Sequence, residues 1–404
     1  MAIALTASAQ TPAPPPAPAD SSSATPAAAP AAAQAPAPPA APAAPAAPAA
    51  APTWSVGPMD LSGFIDGYYS FNFNRPNTTD GFDQLNQLYN FNDKTDQFEL
   101  SAAKLTLNHA PDPVGADVDF IYGRTNTLIN AAPSNATSAD QLPYLEQAYV
   151  SIKPPKAKGF ELDFGKWVTS AGAEVIESMS NWNYSRSLLF VNAIPYWHFG
   201  ARTSMPVSKT ETIGFQLFNG WNNVSKANGG VSGAFTSALV KPKVTWDLNY
   251  LVGPENSNTT AGLRNLIDTT VLFTPPGKFN AYVNFDYGMN QDEIVSQGNT
   301  KLVTWYGVAA AFHEQASTKN AIAGRFEWFD DANGVQTSGV YGPANTLYEG
   351  TFTYEYKWIE GALMRIEYRI DKSNLQYFDK LANQFTDQQQ TVTVAFIAFF
   401  GPKR

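Results

Sequence analysis

The feature that most constrains this 404-residue chain is a period-two alternation of apolar and charged residues, which recurs from Trp54 onward. In 361–371, Gly-Ala-Leu-Met-Arg-Ile-Glu-Tyr-Arg-Ile-Asp, the apolar residues fall on one face of an extended strand and the charged residues on the other. The same alternation occurs in 114–122 and 279–287. Because the chain has no amphipathic helices to cover these apolar faces, we expect lipid to cover them. The pattern predicts an all-β fold, a transmembrane antiparallel β-barrel.

Composition excludes several other classes of protein and site. No apolar run approaches the roughly 20 residues of a membrane-spanning helix, since the longest is 394–400. Cysteine is absent and the three histidines lie far apart, so neither a disulfide framework nor a metal cluster is predicted. The formal net charge of −9 argues against a nucleic-acid surface, which needs a basic stripe. We therefore expect no cofactor and no nucleic-acid partner.

The connections between the strands fall into two alternating kinds. Short turns marked by proline or lysine are predicted near 111–113, 153–158, 206–210, 241–243, 274–278, 315–319 and 358–361. Longer polar loops are predicted near 75–96, 125–142, 168–195, 222–234, 253–264, 288–300, 330–346 and 372–388. This alternation predicts about sixteen strands, within a range of roughly 14 to 18, with both termini on the short-turn side. In 96–108 the alternation changes phase, which indicates either a β-bulge or a wrong boundary.

The N-terminal region differs from the rest of the chain in composition. Residues 1–9 end in Ala-Ser-Ala, the small-x-small form of a signal-peptidase site, and are interpreted as a signal-peptide remnant. Residues 10–53 are almost entirely alanine and proline, which predicts an extended, disordered periplasmic linker. Either this linker is a passive spacer or it is a tether that touches the cell wall. Residues 54–404 are predicted to form the barrel.

The last predicted strand, 391–400, carries valines and phenylalanines on one face and ends on an aromatic residue, Phe400. Barrel-assembly machinery commonly reads such a strand, although four residues follow Phe400 here. Aromatic residues also form girdles at the two membrane surfaces of such barrels. The girdle candidates are Tyr69, Phe71, Tyr196, Trp197, Trp246, Tyr250, Trp305, Tyr354 and Tyr356. We expect outer-membrane lipid and the assembly machinery as partners, with the short turns and both termini in the periplasm.

Several stretches between residues 58 and 400 resemble the OmpL-like β-barrel porin family of Gram-negative outer membranes. They are 61–69 (Leu-Ser-Gly-Phe-Ile-Asp-Gly-Tyr-Tyr), 162–177 with its Gly-Lys and Glu-Val segment, 183–190 (Asn-Tyr-Ser-Arg-Ser-Leu-Leu-Phe), 194–202, 219–222 (Asn-Gly-Trp-Asn) and 325–334 (Arg-Phe-Glu-Trp-Phe-Asp-Asp-Ala-Asn-Gly). The resemblance implies a porin, a passive channel for small hydrophilic solutes and ions, and it carries over no particular substrate. A homotrimer is compatible with it.

Two other functional classes remain alternatives. One is an outer-membrane barrel with a hydrolase role, for which His198, Arg202 and Ser204 are the candidate serine site. The other is a barrel with an adhesin or structural role. No Gly-x-Ser-x-Gly elbow, Walker loop or dinucleotide fingerprint occurs in the sequence. The pattern therefore favours a channel without enzymatic activity.

The longest predicted loop, 168–195, is the candidate constriction of the channel. It carries Glu174, Glu177 and Arg186, and the apolar residues 188–190 are available to pin it inside the barrel. In many porins the third external loop folds inward, so the resemblance supports this assignment. The other pore-lining or constriction candidates, which alternation puts on inward faces of strands, are Asp117, Asp119, Arg202, Asp286, Arg325, Glu327, Glu355, Arg365, Glu367 and Arg369.

The balance of inward-facing charges predicts the ion preference of such a channel. Acidic residues outnumber arginines by about three to one at these positions, and one sign of charge biases permeation through a water-filled pore. We therefore predict a weak preference for cations. The alternative is an anion site, which Arg325, Arg365 and Arg369 would form if they cluster at the constriction.

Overall fold

The computed structural model describes residues 55–56, 58–76, 84–130, 142–296, 299–381 and 384–401. The predicted signal-peptide remnant (1–9) and the predicted linker (10–53) lie outside these residues. Sixteen long strands make up the barrel. They are β1 Met59–Asn72, β2 Phe98–His109, β3 Val114–Tyr122, β4 Leu145–Ile152, β5 Glu161–Val168, β6 Trp197–Pro206, β7 Glu211–Phe218, β8 Ser232–Lys241, β9 Val244–Gly253, β10 Arg264–Phe273, β11 Phe279–Ser296, β12 Asn299–Glu314, β13 Asn320–Asp331, β14 Asn345–Ile359, β15 Ala362–Ser373 and β16 Gln388–Phe400.

Each strand pairs antiparallel with the next one along the chain, and the last strand pairs with the first. In this closing pair Thr391 lies opposite Asn72, and Phe400 lies opposite Gly63. Closure satisfies the main-chain hydrogen bonds of every strand, which a strand in lipid requires because no water is there to bond with it. The prediction of a sixteen-strand transmembrane barrel is confirmed.

The distribution of exposed residues is the reverse of that in a soluble sheet. On β15 the charged side chains of Arg365 and Glu367 are buried inside the barrel, while Ile366 and Tyr368 on the outer face are 41% and 40% exposed. The strands β3 and β11 alternate in the same way. Apolar side chains can remain on the outer surface because lipid, unlike water, gives them no reason to be buried. The alternation in the sequence therefore predicts the inner and outer faces correctly.

One irregularity in the alternation is a β-bulge. Between β1 and β2 the register shifts, so that Asp66 lies opposite Ala102 while Gly67 lies opposite Leu100. Ser101 is the extra residue, and both Ser101 and Ala102 are buried on the inner face. The phase change in 96–108 is thus a bulge rather than a wrong boundary.

All seven predicted turns separate consecutive strands at the predicted places, but one predicted loop is wrong. The polar stretch 288–300 is mostly strand, since β11 continues to Ser296 and β12 begins at Asn299. Beyond Asn290 the two strands remain paired through two register shifts. Main-chain hydrogen bonds do not depend on side-chain polarity, so polar residues end the apolar outer face without ending the strand.

The remaining elements are short. They are α1 Arg124–Ile129, a 3₁₀ turn Ser178–Ser180, α2 Leu188–Asn192, α3 Val335–Ser338, the strand Ser55–Val56 paired with the start of β1, and a hairpin of Phe378–Lys380 with Gln384–Thr386. Among the described residues, none of the helices has the length and hydropathy needed to span a bilayer.

The aromatic girdle candidates divide between the two faces of the barrel. Trp246 and Tyr250 are exposed on the outer surface, as a girdle requires. Tyr196, Trp197 and Trp305 are buried inside instead, so their assignment to a girdle is wrong. Trp305 has the inward parity of β12, and its indole Nε1 donates to the carbonyl oxygen of Ala193 at 3.0 Å.

Candidate functional site inside the barrel

The connection between β5 and β6, residues 169–196, is buried almost throughout and is called the third loop below. A loop usually runs over the protein surface, where water bonds to its main chain. A buried loop must find partners for its amides and carbonyls within the protein. The third loop finds many of them in side chains on the inner faces of the strands.

Carboxylates of the barrel wall accept hydrogen bonds from the main-chain amides of the third loop. Glu327 on β13 accepts from Leu188 and Leu189 at 3.0 and 3.2 Å, at the start of α2. Glu367 on β15 accepts from the amides of residues 184 and 185 at 2.6 and 2.9 Å. Both carboxylates bond through their two oxygens, which fixes the direction of the loop as well as its distance from the wall.

Arginines of the same wall bond to the carbonyl oxygens of the third loop. Arg325 donates to the carbonyl of Ser185 at 2.7 Å, and Arg369 donates to that of Arg186 at 2.7 Å. Arg365 donates to the carbonyl of Ser178. Arg325 also forms an ion pair with Glu174 of the loop at 2.7 Å, which joins β13 directly to the third loop.

A second set of contacts joins the third loop to β2, β3 and β4. Lys104 on β2 lies within 2.8 Å of Asp119 and 2.5 Å of Glu146, and it also contacts Glu177 of the loop. All four side chains are buried. Lys104 is absent from the predicted inner-face residues, because the bulge at Ser101 reverses the alternation that would have assigned it to the inner face.

Asp66 on β1 and several aromatic residues of the barrel also contact the third loop. Asp66 accepts hydrogen bonds from Ser178 Oγ at 2.5 Å and from the Tyr184 hydroxyl at 2.8 Å. Trp182 packs on Tyr282 of β11 and on His313 of β12, with ring centroids 5.0 and 5.8 Å apart.

The apolar residues 188–190 of the third loop are fully buried. A β-carbon built on Gly307 of β12 would lie 2.7 Å from Leu189 Cδ2, so a larger residue at 307 would displace α2. The loop thus lies against the wall at a point where the wall has no side chain.

The side chain of Arg186 bonds within the third loop and contacts the loop between β1 and β2. Its guanidinium donates to the carbonyl oxygens of Val175, Ile176 and Tyr184. It also lies 5.1 Å from the ring of Phe91, which belongs to the loop between β1 and β2. Arg186 therefore holds the third loop in its folded shape and joins it to this first loop.

The remaining candidates contact other residues of the barrel wall. Asp117 accepts from Asn108 at 2.8 Å, and Arg202 pairs with Asp163 at 2.8 Å. Arg202 is 21% exposed, and Glu355, which pairs with Arg365 at 2.8 Å, is 22% exposed. Asp286 lies on β11 opposite Asp268 of β10.

The candidate serine site is not assembled. His198 is buried and shares a hydrogen bond of 3.1 Å with Thr169 Oγ1. Ser204 lies six positions further along the same strand, which corresponds to about 20 Å at roughly 3.3 Å per residue. The two side chains are too far apart for a nucleophile and its base, which need hydrogen-bond contact.

Solved structures of outer-membrane channels share this fold at low sequence identity. The "Anion-selective porin from Comamonas acidovorans" is 10% identical with a TM-score of 0.55, covering 85% of this chain and 99% of that one. The outer membrane channel DcaP of Acinetobacter baumannii is 10% identical with a TM-score of 0.54, covering 87% and 100%. OmpT of Vibrio cholerae, in a structure described as the trimer form, is 10% identical with a TM-score of 0.50, covering 85% and 99%. At such identities the likeness shows the fold alone.

No curated protein matches the chain in sequence. The model of one protein family, described as "beta-barrel porin-2, OmpL-like", matches residues 58–400, which is nearly the whole region outside the Ala/Pro-rich segment. Barrels with an apolar outer band and a polar interior of this kind lie in the bacterial outer membrane. From its sequence and its fold, the chain belongs to the OmpL-like family of β-barrel porins.

Proposed function

We propose that this porin is a passive, non-enzymatic channel for small hydrophilic solutes and ions, and that its third loop narrows the water-filled path. The observation that carries the proposal is the bonding of the loop to side chains of the inner wall, above all Glu327 and Glu367. Inner-face side chains become half-buried toward the short turns, as Asn108, Ser204 and Thr245 show. Arg202 and Glu355 then line the wider part of the path, and the third loop limits its width above them.

Single-channel conductance in planar bilayers tests the constriction. Deletion of much of 172–188 should raise the conductance, because it removes the part of the loop that occupies the cross-section of the barrel. A matched deletion in 225–230, within the loop between β7 and β8, is the control and should leave the conductance near the wild-type value. Unchanged conductance after the first deletion, in protein that still migrates as a folded barrel, would refute the constriction.

The proposed membrane arrangement puts the short turns and both termini in the periplasm. The strand β1 begins and β16 ends beside the short turns, so the residues before Met59 would continue there as the linker between the signal remnant and the barrel. The absence of cysteine makes this testable. A single cysteine at Ser225 should react with a membrane-impermeant maleimide in intact cells, and one at Thr274 should not. The reverse labelling would invert the arrangement.

The proposed partners follow from the same arrangement. Lipid covers the outer face, and the aromatic end of β16 is the segment offered to the barrel-assembly machinery. OmpT of Vibrio cholerae is described in a trimer form, and we extend a homotrimer to this chain as a proposal. Cross-linking in native membranes tests this proposal and should give a trimer band. A monomer band alone would contradict it.

A further inference from the structure

Three aspartates occupy neighbouring positions on the inner face of β9, β10 and β11. Asp268 on β10 lies directly opposite Asp286 on β11. Asp247 on β9 lies opposite Thr270, two residues along β10 from Asp268. All three carboxylates are buried, with Asp247 the most exposed at 5%. These residues are called the acid patch below.

The acid patch has no cationic side chain to balance it among the described ion pairs. Asp268 accepts hydrogen bonds from two neutral amides, Asn249 Nδ2 at 2.7 Å and Asn284 Nδ2 at 2.8 Å. The carboxyl groups of Asp268 and Asp286 bond to each other, which requires a proton shared between them. Among the described residues no N–H group donates to either oxygen of Asp286 or to Oδ2 of Asp247. The patch therefore gathers three buried carboxyl groups with no cation beside them, and a divalent ion would take the place of the shared proton.

Thr270 gives an independent indication of a ligand at this place. Its side chain is buried on the same face of β10 as Asp268, and its hydroxyl has no hydrogen-bond partner in the part of the chain that the structure describes. A buried hydroxyl without a partner loses the hydrogen bonds that water gave it, so such groups are normally satisfied in folded proteins. Directly opposite Thr270 on β9 lies Asp247, whose Oδ2 also lacks a donor among the described residues.

The first residues of the third loop cover the acid patch. Asn249 donates to the carbonyl oxygen of Ser170 at 3.0 Å, and the amide of Gly172 donates to Asp268. The patch thus lies between the wall and residues 170–172. Any ion bound there would be held against the loop as well as against the wall.

Uncompensated buried carboxylates are unfavourable, since burial removes their hydration without supplying an opposite charge. Carboxylate, hydroxyl and carbonyl oxygens are the ligands that calcium and magnesium prefer, often with several waters retained. Within the described ranges no group of three or more His, Cys, Asp or Glu side chains converges to enclose a metal ion. A site here would accordingly use two carboxylates, with neutral oxygens completing the shell.

We propose that the acid patch binds a divalent cation of the calcium or magnesium class, with Asp268 and Asp286 as its charged ligands and Thr270 and Asp247 beside them. The cation balances the charge of the wall and fixes the start of the third loop. Its occupancy can be measured without transport through the channel.

Thermal stability of the folded protein in detergent tests the site without any transport measurement. After EDTA treatment and dialysis at neutral pH, the temperature at which the folded gel band converts to the unfolded band should rise on addition of CaCl₂. NaCl of the same ionic strength should not reproduce the rise. The variants Asp268→Asn and Asp286→Asn should each require roughly tenfold or more calcium for the same shift, because the affinity of an oxygen site for calcium falls when a charged ligand is removed.

Glu314→Gln, which removes one exposed carboxylate at the end of β12, is the matched control and should behave like the wild type. A wild-type protein that calcium and NaCl affect equally would overturn the proposal, as would an undiminished calcium response in both aspartate variants. Should a variant fail to fold, equilibrium dialysis of the wild-type protein against CaCl₂ decides, and no calcium retained above the level in the buffer would overturn the proposal.

Discussion

Two walls of the barrel face the third loop, and they differ in how their charges are paired. On β13 to β15, arginines and carboxylates alternate in space, so Arg325 contacts Glu327 at 2.9 Å and Glu349 at 3.1 Å, and Arg369 contacts Asp371 at 2.7 Å. This side is called the paired wall below. On β9 to β11 the cationic Arg264 pairs with Glu293 at 3.5 Å, and no described ion pair includes an aspartate of the acid patch. The paired wall bonds both amides and carbonyls of the loop through charged groups, whereas the acid patch has no cation of its own.

The difference implies that the paired wall fixes one part of the third loop, whereas the position of the part beside the acid patch depends on the solution. Buried ion pairs add little net stability, but removing one partner leaves an uncompensated charge, so a paired wall strongly disfavours other positions of the loop. The acid patch has no such internal compensation. Its state depends on what the solution supplies, which makes it the place where conditions can alter the loop.

The largest expected effect comes from removing Lys104, the cation in contact with Asp119, Glu146 and Glu177. Lys104→Met takes the contacting charge from three buried carboxylates, which should cost about 3–5 kcal/mol of unfolding free energy. Denaturant titration followed by gel mobility measures it. Lys153→Met, at a pair that is 36% exposed on the lysine side, should change the same quantity by less than about 1 kcal/mol. Equal losses of unfolding free energy in the two variants would mean that burial does not increase the cost of removing Lys104.

The next effect measures how strongly the paired wall holds the third loop. In a double-mutant cycle of Arg325→Gln and Glu174→Gln, we expect a coupling energy of about 2 kcal/mol, since contacting charged residues are typically coupled by 0.5–3 kcal/mol. The two side chains are 2.7 Å apart and buried. Additive losses from the two substitutions would show that the loop is held by its main-chain bonds alone.

Neutralising one carboxylate should change the unfolding free energy in opposite directions at the acid patch and at the paired wall. In EDTA, Asp286→Asn should raise the unfolding free energy by up to about 1 kcal/mol, because like charges directly opposite each other on neighbouring strands are destabilising. Glu349→Gln on the paired wall should lower it, because Arg325 and Arg369 lose a partner. The same sign for both substitutions would remove the contrast between the walls.

The smallest expected effect concerns ion preference. Each arginine of the paired wall already contacts a carboxylate, so the acids should decide the sign, and we expect cations to be preferred by about a few-fold. The reversal potential in a salt gradient measures this preference. An anion-selective sign, lost on Arg365→Gln with Arg369→Gln, would instead locate an anion site among the arginines. The Comamonas acidovorans porin of the same fold is described as anion-selective, so the fold itself does not decide the sign.

The strands, the turns and the two faces of the barrel could be predicted from the sequence because they depend on neighbouring residues. Alternation over a few positions assigns Arg365 inward and Ile366 outward without reference to the rest of the chain. The bulge at Ser101 shows the limit of that rule, since one inserted residue removed Lys104 from the predicted inner face. The extended pairing beyond Asn290 was missed for a related reason, because polarity marks the end of the lipid-facing surface and not the end of a strand.

The contacts of the third loop could not be predicted in the same way. The bond between the amide of Tyr184 and Glu367 joins residues that are 183 positions apart in sequence. No local pattern connects them, since the partner of a loop amide is decided by the curvature and register of strands that lie far away along the chain. The sequence could indicate which loop is long and carries charges, and the general behaviour of porins suggested its direction.

The seam between β1 and β16 has a consequence for how the chain is made. The hydroxyls of Ser70 and Thr393 lie 3.1 Å apart across it, although 323 positions separate them in the chain. The two halves of the seam therefore emerge from the ribosome at nearly opposite times, and until the later one arrives every nascent sheet carries two open edges that could pair with other chains. A stop codon shortly before β16 would deprive β1 and β15 of their partner together. Such a late truncation should be as damaging as an early one, and it should appear in the cell as periplasmic aggregate and proteolytic fragments rather than as a slightly smaller porin.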